Sequence, residues 1–427
     1  MSHESSDADV SVTTLGNGVR VVVIRLPHLE TASVSVFIRT GSAHEGRRLN
    51  GISHFVEHMA FKGTHERSCQ QINLDAERLG ADVNAHTDKD HTAYHMRGRA
   101  RDAGRFLRML GDIVRNSSFP AAELERERQV ILHELTEDDD DALATADKLF
   151  DTACFRSHPL AQPVIGSRAN IGRFTRDDLL AYTAAQYSGA NVVVGVAGNV
   201  DSELVRKEAE AAFGGMPAGR ANEVPVPGYV GGVASRAQAG YSQTHVVLGF
   251  PIADARGDYH PGAVAAALFG EGMSSPLMDE IRERRGLVYY ASCSADVSEL
   301  AGLFVIEAST APEHVDEFLV EVRRLLAAQA GGVDAIGLER ARNQMAVRSL
   351  RAWERPSRRL EDAALDLFVH GRVRSRSELT ARTEAVSGAE VRRAFATLLA
   401  RPAAVAIAGK LRKGAVDRAR ELFKAPA

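Results

Sequence analysis

Cysteine is scarce in this chain: there are three in 427 residues, Cys69, Cys154 and Cys293, odd in number and far apart. That spacing argues against a disulfide framework or a cysteine-based metal site, and it fits thiols kept in a reducing compartment. A dominant charge is also lacking. The 52 Lys and Arg residues stand against 56 Asp and Glu, for a formal net charge of −4, so no basic surplus speaks for a nucleic-acid partner. No run approaches the roughly 18 consecutive apolar residues that a membrane-spanning helix requires. The opening segment, MSHESSDADVSV, is polar and acidic. It has neither the basic-then-apolar order of a secretory signal nor the arginine-rich pattern of an organellar presequence. The expected address is the cytoplasm, with no membrane and no nucleic acid among the partners.

What is present reads as a globular protein of two domains. Apolar residues make up 44% and charged residues 25%, and a chain of this length exceeds one ordinary core. Runs such as VRVVVIRL (19–26), SVSVFIRT (33–40) and NVVVGVA (191–197) predict strands. Helical spacing covers 68–79, 102–115, a long segment after Pro120, 143–154, 175–187 and 202–213. Residues 214–240 are rich in Gly, Pro and Ala without periodicity and predict an interdomain linker. After them a strand (244–250), two helices (261–269 and 274–285) and two strands (287–296 and 303–309) loosely repeat the earlier order, and a last strand is expected at 403–408. The expectation is an α+β protein of two tandem homologous α/β-sandwich domains, each an antiparallel-rich sheet flanked by helices. Residues 1–213 form the first domain and 241–427 the second.

The stretch with the most chemistry is GISHFVEHMAFKGT, 51–64. On a helix, His54 and His58 lie one turn apart and project from one face, and Glu57 sits next to that face. Two imidazoles so placed can hold zinc and leave positions open for water, and a nearby carboxylate can take a proton from that water. H-x-x-E-H is the inverted order of the zinc-protease helix. Chance alone gives roughly 0.07 such matches in a chain of this composition. The competing reading is an amphipathic core helix with two hydrogen-bonded histidines.

A third ligand is needed, and ELERERQVILHELT (123–136) offers one. Glu127 and Glu134 are nearly two turns apart and share a side with Val130 and Ile131. A carboxylate on so apolar a side needs a partner, for which a cation is suited. Glu123, Glu125 and Arg128 fall elsewhere and read as a solvated face, as does the acidic run 137–141. The competing reading of Glu134 is a salt-bridged helix carboxylate.

HFVEH at 54–58 combined with ERQVILHEL at 127–135 resembles the pitrilysin, insulysin and mitochondrial processing peptidase family of inverted-motif zinc peptidases. The resemblance extends to MAFKGT (59–64), NAHT (84–87), the T-x-Y of Thr92–Tyr94, and FGEGMSSPLMDEIRERRGLVYY (269–290). His86 stands where relatives more often carry an aromatic residue, and Pro276 where an Arg is usual. The resemblance implies one Zn²⁺ per chain on His54, His58 and Glu134, with Glu57 as general base and Glu127 supporting the ligands. It also implies that Arg282 and Tyr289 donate to the substrate carbonyl as charge builds there. An extended peptide would add to the strand 81–87, with Asn84 and Ala85 nearest the scissile bond.

The implied activity is zinc-dependent endopeptidase action on short or unfolded peptides. Both motif sets are intact in one chain, as in the short, bacterial-type single-chain members. This implies a homodimer enclosing a chamber, with Arg282 and Tyr289 reaching the site from the partner. The rival class is a non-catalytic scaffold or partner subunit of a processing-peptidase-like heterodimer. Some family members have become such subunits by losing their zinc residues, and His54, Glu57, His58 and Glu134 are all retained here.

Overall fold

Val21–Ile24 and Val192–Val194 are apolar at every position, which a strand tolerates only when both of its faces are covered. The computed structural model, which describes residues 9–425, shows how that covering is achieved. Strands β1 (Val10–Thr14), β2 (Arg20–Arg25), β3 (Thr31–Ile38), β4 (Asp82–Thr87), β5 (Thr92–Arg99) and β6 (Val192–Gly198) form one sheet. Their order is β1-β2-β6-β3-β5-β4. Only β2 and β6 run parallel; the other neighbours are antiparallel.

Alternation along these strands separates two cores. Val21, Val23, Val34, Val36, Val194 and Val196 join the helices Ile52–Ala60 and Ala103–Arg115 on one face. Val22, Ile24, Phe37, Ala93 and Val193 meet Leu360, Ala363, Ala364 and Leu367 of the helix Pro356–His370 on the other. Gly195 is the point of closest approach, because a β-carbon there would stand 2.9 Å from Leu360 Cδ2. Glycine in mid-strand lets the helix backbone come this near.

A second sheet takes β7 (Gly232–Ala237), β8 (Thr244–Ile252), β9 (Val288–Val297), β10 (Gly302–Thr310) and β11 (Ala404–Gly409), in the order β7-β11-β8-β10-β9. Here β7 and β11 are the parallel pair. With β1 set aside, the order of the first sheet by chain position is the same as that of the second, so the two tandem α+β units share one topology. Helices His260–Gly270, Val315–Gly331 and Gly388–Leu399 pack into the core of the second unit. The helix Ala142–Phe155 belongs to this unit too, where Phe150 lies under Gly249 of β8 with 2.7 Å between its ring and a notional β-carbon.

Contacts therefore group the chain differently from the contiguous division at 1–213, 214–240 and 241–427. One unit holds the chain up to Leu135, Pro163–Val224 and Arg351–Ser375; the other holds Thr136–Gln162, Pro225–Leu350 and the chain from Arg376 onward. Each sheet has one face covered by a helix drawn from the opposite half of the sequence. The expected linker is also partly ordered strand, since β7 pairs in register with β11. Its Gly-rich composition hid this: Gly231, just before the strand, and Gly232, its first residue, both take positive φ. The helix expected at 274–285 is wound as a π-helix over Leu277–Arg284. No disulfide joins the cysteines. Among the described residues no helix is long and apolar enough to cross a membrane.

The entry to the helix Ile52–Ala60 is unusually close-packed. Gly51 (φ +98°) and Gly166 (φ +86°) meet back to back, and a β-carbon on Gly166 would lie 2.6 Å from the Asn50 carbonyl oxygen. Gly166→Ala is expected to destabilise the fold by more than about 2 kcal/mol, since a strained positive φ costs about 1–3 kcal/mol and overpacking adds to it. Gly80→Ala is the control, because φ is +62° there but nothing lies within 4 Å. It should cost only the left-handed backbone strain, about 1–2 kcal/mol, and less than Gly166→Ala. Denaturant midpoints of the two variants check the contrast.

Candidate metal centre

Ile52, Phe55, Val56, Met59 and Ala60 all turn into the core, which leaves His54, Glu57 and His58 together on the remaining face of the motif helix. The helix start is held by the buried carboxylate of Glu45. It accepts from the backbone N–H groups of Gly51 and Ser53, both at 2.7 Å, as an anion at a helix N-terminus should. Burial pushes the Glu45 carboxyl above its ordinary range, against the pull of those bonds.

The long helix Ala121–Asp140 is anchored by Leu124, Ile131 and Leu135 and presents Glu127 and Glu134 to the histidines. Glu134 Oε2 lies 3.5 Å from His58 Nε2 and 3.9 Å from His54 Nε2. Potential ligand atoms of His54, His58 and Glu134 all fall within 4.8 Å of one another. The imidazole rings are 4.5 Å apart between centroids. His58 Nδ1 is bonded to Glu127 Oε1 at 2.9 Å, and Glu127 Oε2 pairs with Lys62 Nζ at 2.7 Å.

The residues present suit zinc. Burial, with His58 adding to it, lowers the pKa of His54 to about 3, so its imidazole is a neutral donor. His54 Nδ1 is buried and has no hydrogen-bond partner. His58 is held above the ordinary histidine range: burial opposes this, but the Glu127 bond and the Glu134 and Glu57 carboxylates outweigh it. A carboxylate on the second ring nitrogen is the usual support of a metal-bound histidine. Burial tends to raise the Glu127 carboxyl, yet His58 and Lys62 bring it below the usual range and keep it ionised. Two nitrogens and one oxygen, with no fourth side chain in the group, leave room for water, as in catalytic zinc sites.

Glu57 borders this cluster, and its Oε2 accepts from Thr87 Oγ1 at 2.7 Å. Burial foremost, and Glu134 in addition, raise the Glu57 carboxyl above its usual range, while Thr87 and His58 pull the other way. Thr87 ends β4, the edge strand of its sheet, which also carries Asn84 and Ala85. Arg282 and Tyr289 belong to the other unit. Arg282 lies on the π-helix with its side chain 43% exposed, and Tyr289 is on the edge strand β9 and 71% exposed.

Three expectations for the long helix are corrected. Val130 is 45% exposed, so Leu124 and Leu135 join Ile131 on the buried side in its place. Arg128 is buried, and its guanidinium donates to the carbonyls of Ile171 and Phe174 and stands over the Phe55 ring. Those carbonyls lie in the last turn of the short helix Arg168–Arg173 and at its C-cap Phe174, where acceptors are left without helical partners. The acidic run is only partly solvated: Asp138 and Asp139 pair with Lys148, and Asp141 caps the helix Ala142–Phe155. Lys62, Thr87 and Glu45 escaped the sequence reading as site residues. Lys62 was within reach of it, lying four residues beyond His58, just past the end of the motif helix.

Comparison with known proteins gives the family. Residues 20–168 match the family described as Insulinase (Peptidase family M16), and residues 173–345 match the one described as Peptidase M16 inactive domain. An uncharacterized zinc protease of Rickettsia bellii is 31% identical over 371 residues, covering 86% of this chain and 90% of that protein. The mitochondrial-processing peptidase subunit beta of Lentinula edodes is 33% identical over 267 residues, 61% of this chain and 57% of its own. In fold, a protease from Helicobacter pylori superposes with a TM-score of 0.85 at 20% identity, covering 94% of this chain and 99% of its own. Both halves of the sequence and nearly the whole length of a zinc-protease relative are thus accounted for, and the chain belongs to the M16, or insulinase, family of peptidases.

Proposed function

We propose that this chain is a zinc-dependent endopeptidase that hydrolyses short or unfolded peptides. The observation that carries the reading is the convergence of His54, His58 and Glu134 beside Glu57, whose carboxylate is held by a residue of an open sheet edge. Those three residues would hold zinc, which when bound would supply Lewis acidity, lowering the pKa of a water towards neutrality and polarising a peptide carbonyl. Glu57 takes the proton of the attacking water and returns it to the amine nitrogen as the peptide bond breaks. Glu127 is a positioning residue that fixes the ring of His58.

Asn84 and Ala85 on β4 receive an extended peptide by main-chain hydrogen bonds, as an unpaired edge allows. Arg282 and Tyr289 donate to the carbonyl oxygen as it gains charge. In this reading the working unit is a homodimer that encloses a chamber, with the two donors coming from the partner copy. The exposure of both side chains supports that part.

Glu57→Gln should retain zinc while turnover of a quenched peptide falls by about 10²–10⁴-fold, the usual contribution of a general base. Unchanged turnover would remove Glu57 from its role. For Glu127→Gln, zinc affinity measured by chelator competition should weaken about 10–100-fold, the typical effect of losing such a support. Mixing Glu57→Gln chains with Arg282→Ala chains should restore activity that neither has alone, which happens only if the donors act across a dimer.

A further inference from the structure

A second group of metal-ligating side chains lies in the same unit, on the opposite face of the same sheet. His86 on β4 pairs across the strands with Ala93 of β5. Directly paired residues share a face, and Ala93 packs with the helix Pro356–His370. His86 therefore faces that helix, whereas Thr87, next along the strand, faces the motif helix and reaches Glu57. His91 immediately precedes β5, and Glu361 comes from the helix Pro356–His370 itself. Potential ligand atoms of His86, His91 and Glu361 all lie within 4.8 Å of one another.

His91 is the informative member. It is 3% exposed, its Nδ1 is bonded to Asp90 Oδ1 at 2.7 Å, and its Nε2 is buried with no hydrogen-bond partner. A buried nitrogen without a partner is costly unless something else occupies it. A carboxylate on one ring nitrogen with the other directed among further donors is the arrangement found at histidines that bind metals. The rings of His86 and His91 meet edge to face, at 88° and 5.5 Å between centroids. Glu361 contacts Arg358 Nη1 at 3.2 Å. One such contact leaves acceptor capacity on a carboxylate, which has about four lone-pair sites.

We propose that His86, His91 and Glu361 form a second cation site, selective for zinc or a similar first-row divalent metal, that ties the edge strand β4 to the helix Pro356–His370. Two imidazoles and one carboxylate are a borderline-soft donor set, which suits such ions better than calcium or magnesium. Tetrahedral zinc with bonds of about 2.0–2.1 Å requires ligand atoms about 3.3 Å apart, so separations that now reach at most 4.8 Å would close on binding. The site sits one residue from Thr87 and two from Asn84, so an ion there holds the back of the strand whose front borders Glu57.

The test is a count of bound zinc on untagged, metal-free protein, by equilibrium dialysis against zinc followed by elemental analysis. Wild type should hold two equivalents per chain, one for each group. His54→Ala/His58→Ala should keep one, and His86→Phe/Glu361→Gln should keep one. The variant combining all four substitutions should keep none. Cobalt(II) absorption of His54→Ala/His58→Ala should show a bound chromophore that disappears on adding His86→Phe. Wild type holding one equivalent, with none left in His54→Ala/His58→Ala, overturns the proposal. So does an unchanged count in His86→Phe/Glu361→Gln. Because the two groups are removed independently, loss of the first site's zinc or of peptidase activity says nothing against the second. Melting curves of the metal-free variants confirm that each is folded, and His54→Ala/His58→Ala alone still decides the matter if the other does not fold.

Discussion

The site depends on keeping a carboxylate charged where little water reaches it. Glu127 is 6% exposed, and an isolated ion so buried would cost several kcal/mol or take up a proton. It stays ionised because one oxygen meets His58 Nδ1 and the other Lys62 Nζ. The motif helix contributes His54 and His58, the turn just beyond its end contributes Lys62, and the long helix answers with Glu127 and Glu134 at a seven-residue interval. Two helical stripes of complementary chemistry thus face one another. The bond that neutralises Glu127 also settles which nitrogen of His58 turns towards Glu134.

Those helices need a rigid support, and the sheet beneath them is rigid because both of its faces are covered. One covering helix comes from residues 356–370, far downstream, while the matching helix of the second unit comes from residues 142–155. In each case a mid-strand glycine, Gly195 or Gly249, admits the close approach. With β1 set aside the units share their strand order, yet the side-chain groups that could hold a metal ion among the described residues lie only in the first. Duplicated architecture therefore carries different chemistry in its two copies.

Strand β4 shows how much one edge can do. Val83, Ala85 and Thr87 turn towards the core shared with the motif helix, and His86 turns to the opposite face. Alternation at a period of two thus puts a partner of Glu57 and a proposed metal ligand on neighbouring residues. The edge has no neighbouring strand on its outer side, and the Ala85 N–H there donates to Asn84 Oδ1 at 2.8 Å, a bond that an added peptide strand would replace.

Local chemistry made much of this visible in advance. The spacing of His54, Glu57 and His58 is a property of one helix, and so is the interval between Glu127 and Glu134. Thr175, Ser68 and the positive-φ Gly80 mark their helix ends without help from elsewhere. Periodicity and capping act over a few residues, so the sequence by itself determined the elements and the chemistry they carry. Tertiary structure alone decided which side chains are buried and with whom. It buried Arg128 on distant carbonyls, left Val130 in solvent, turned part of a Gly-rich stretch into β7, and brought Glu361 to His86 and His91. Each of these depends on a partner tens to hundreds of residues away, and a contact made only when the chain closes on itself leaves no trace in local pattern.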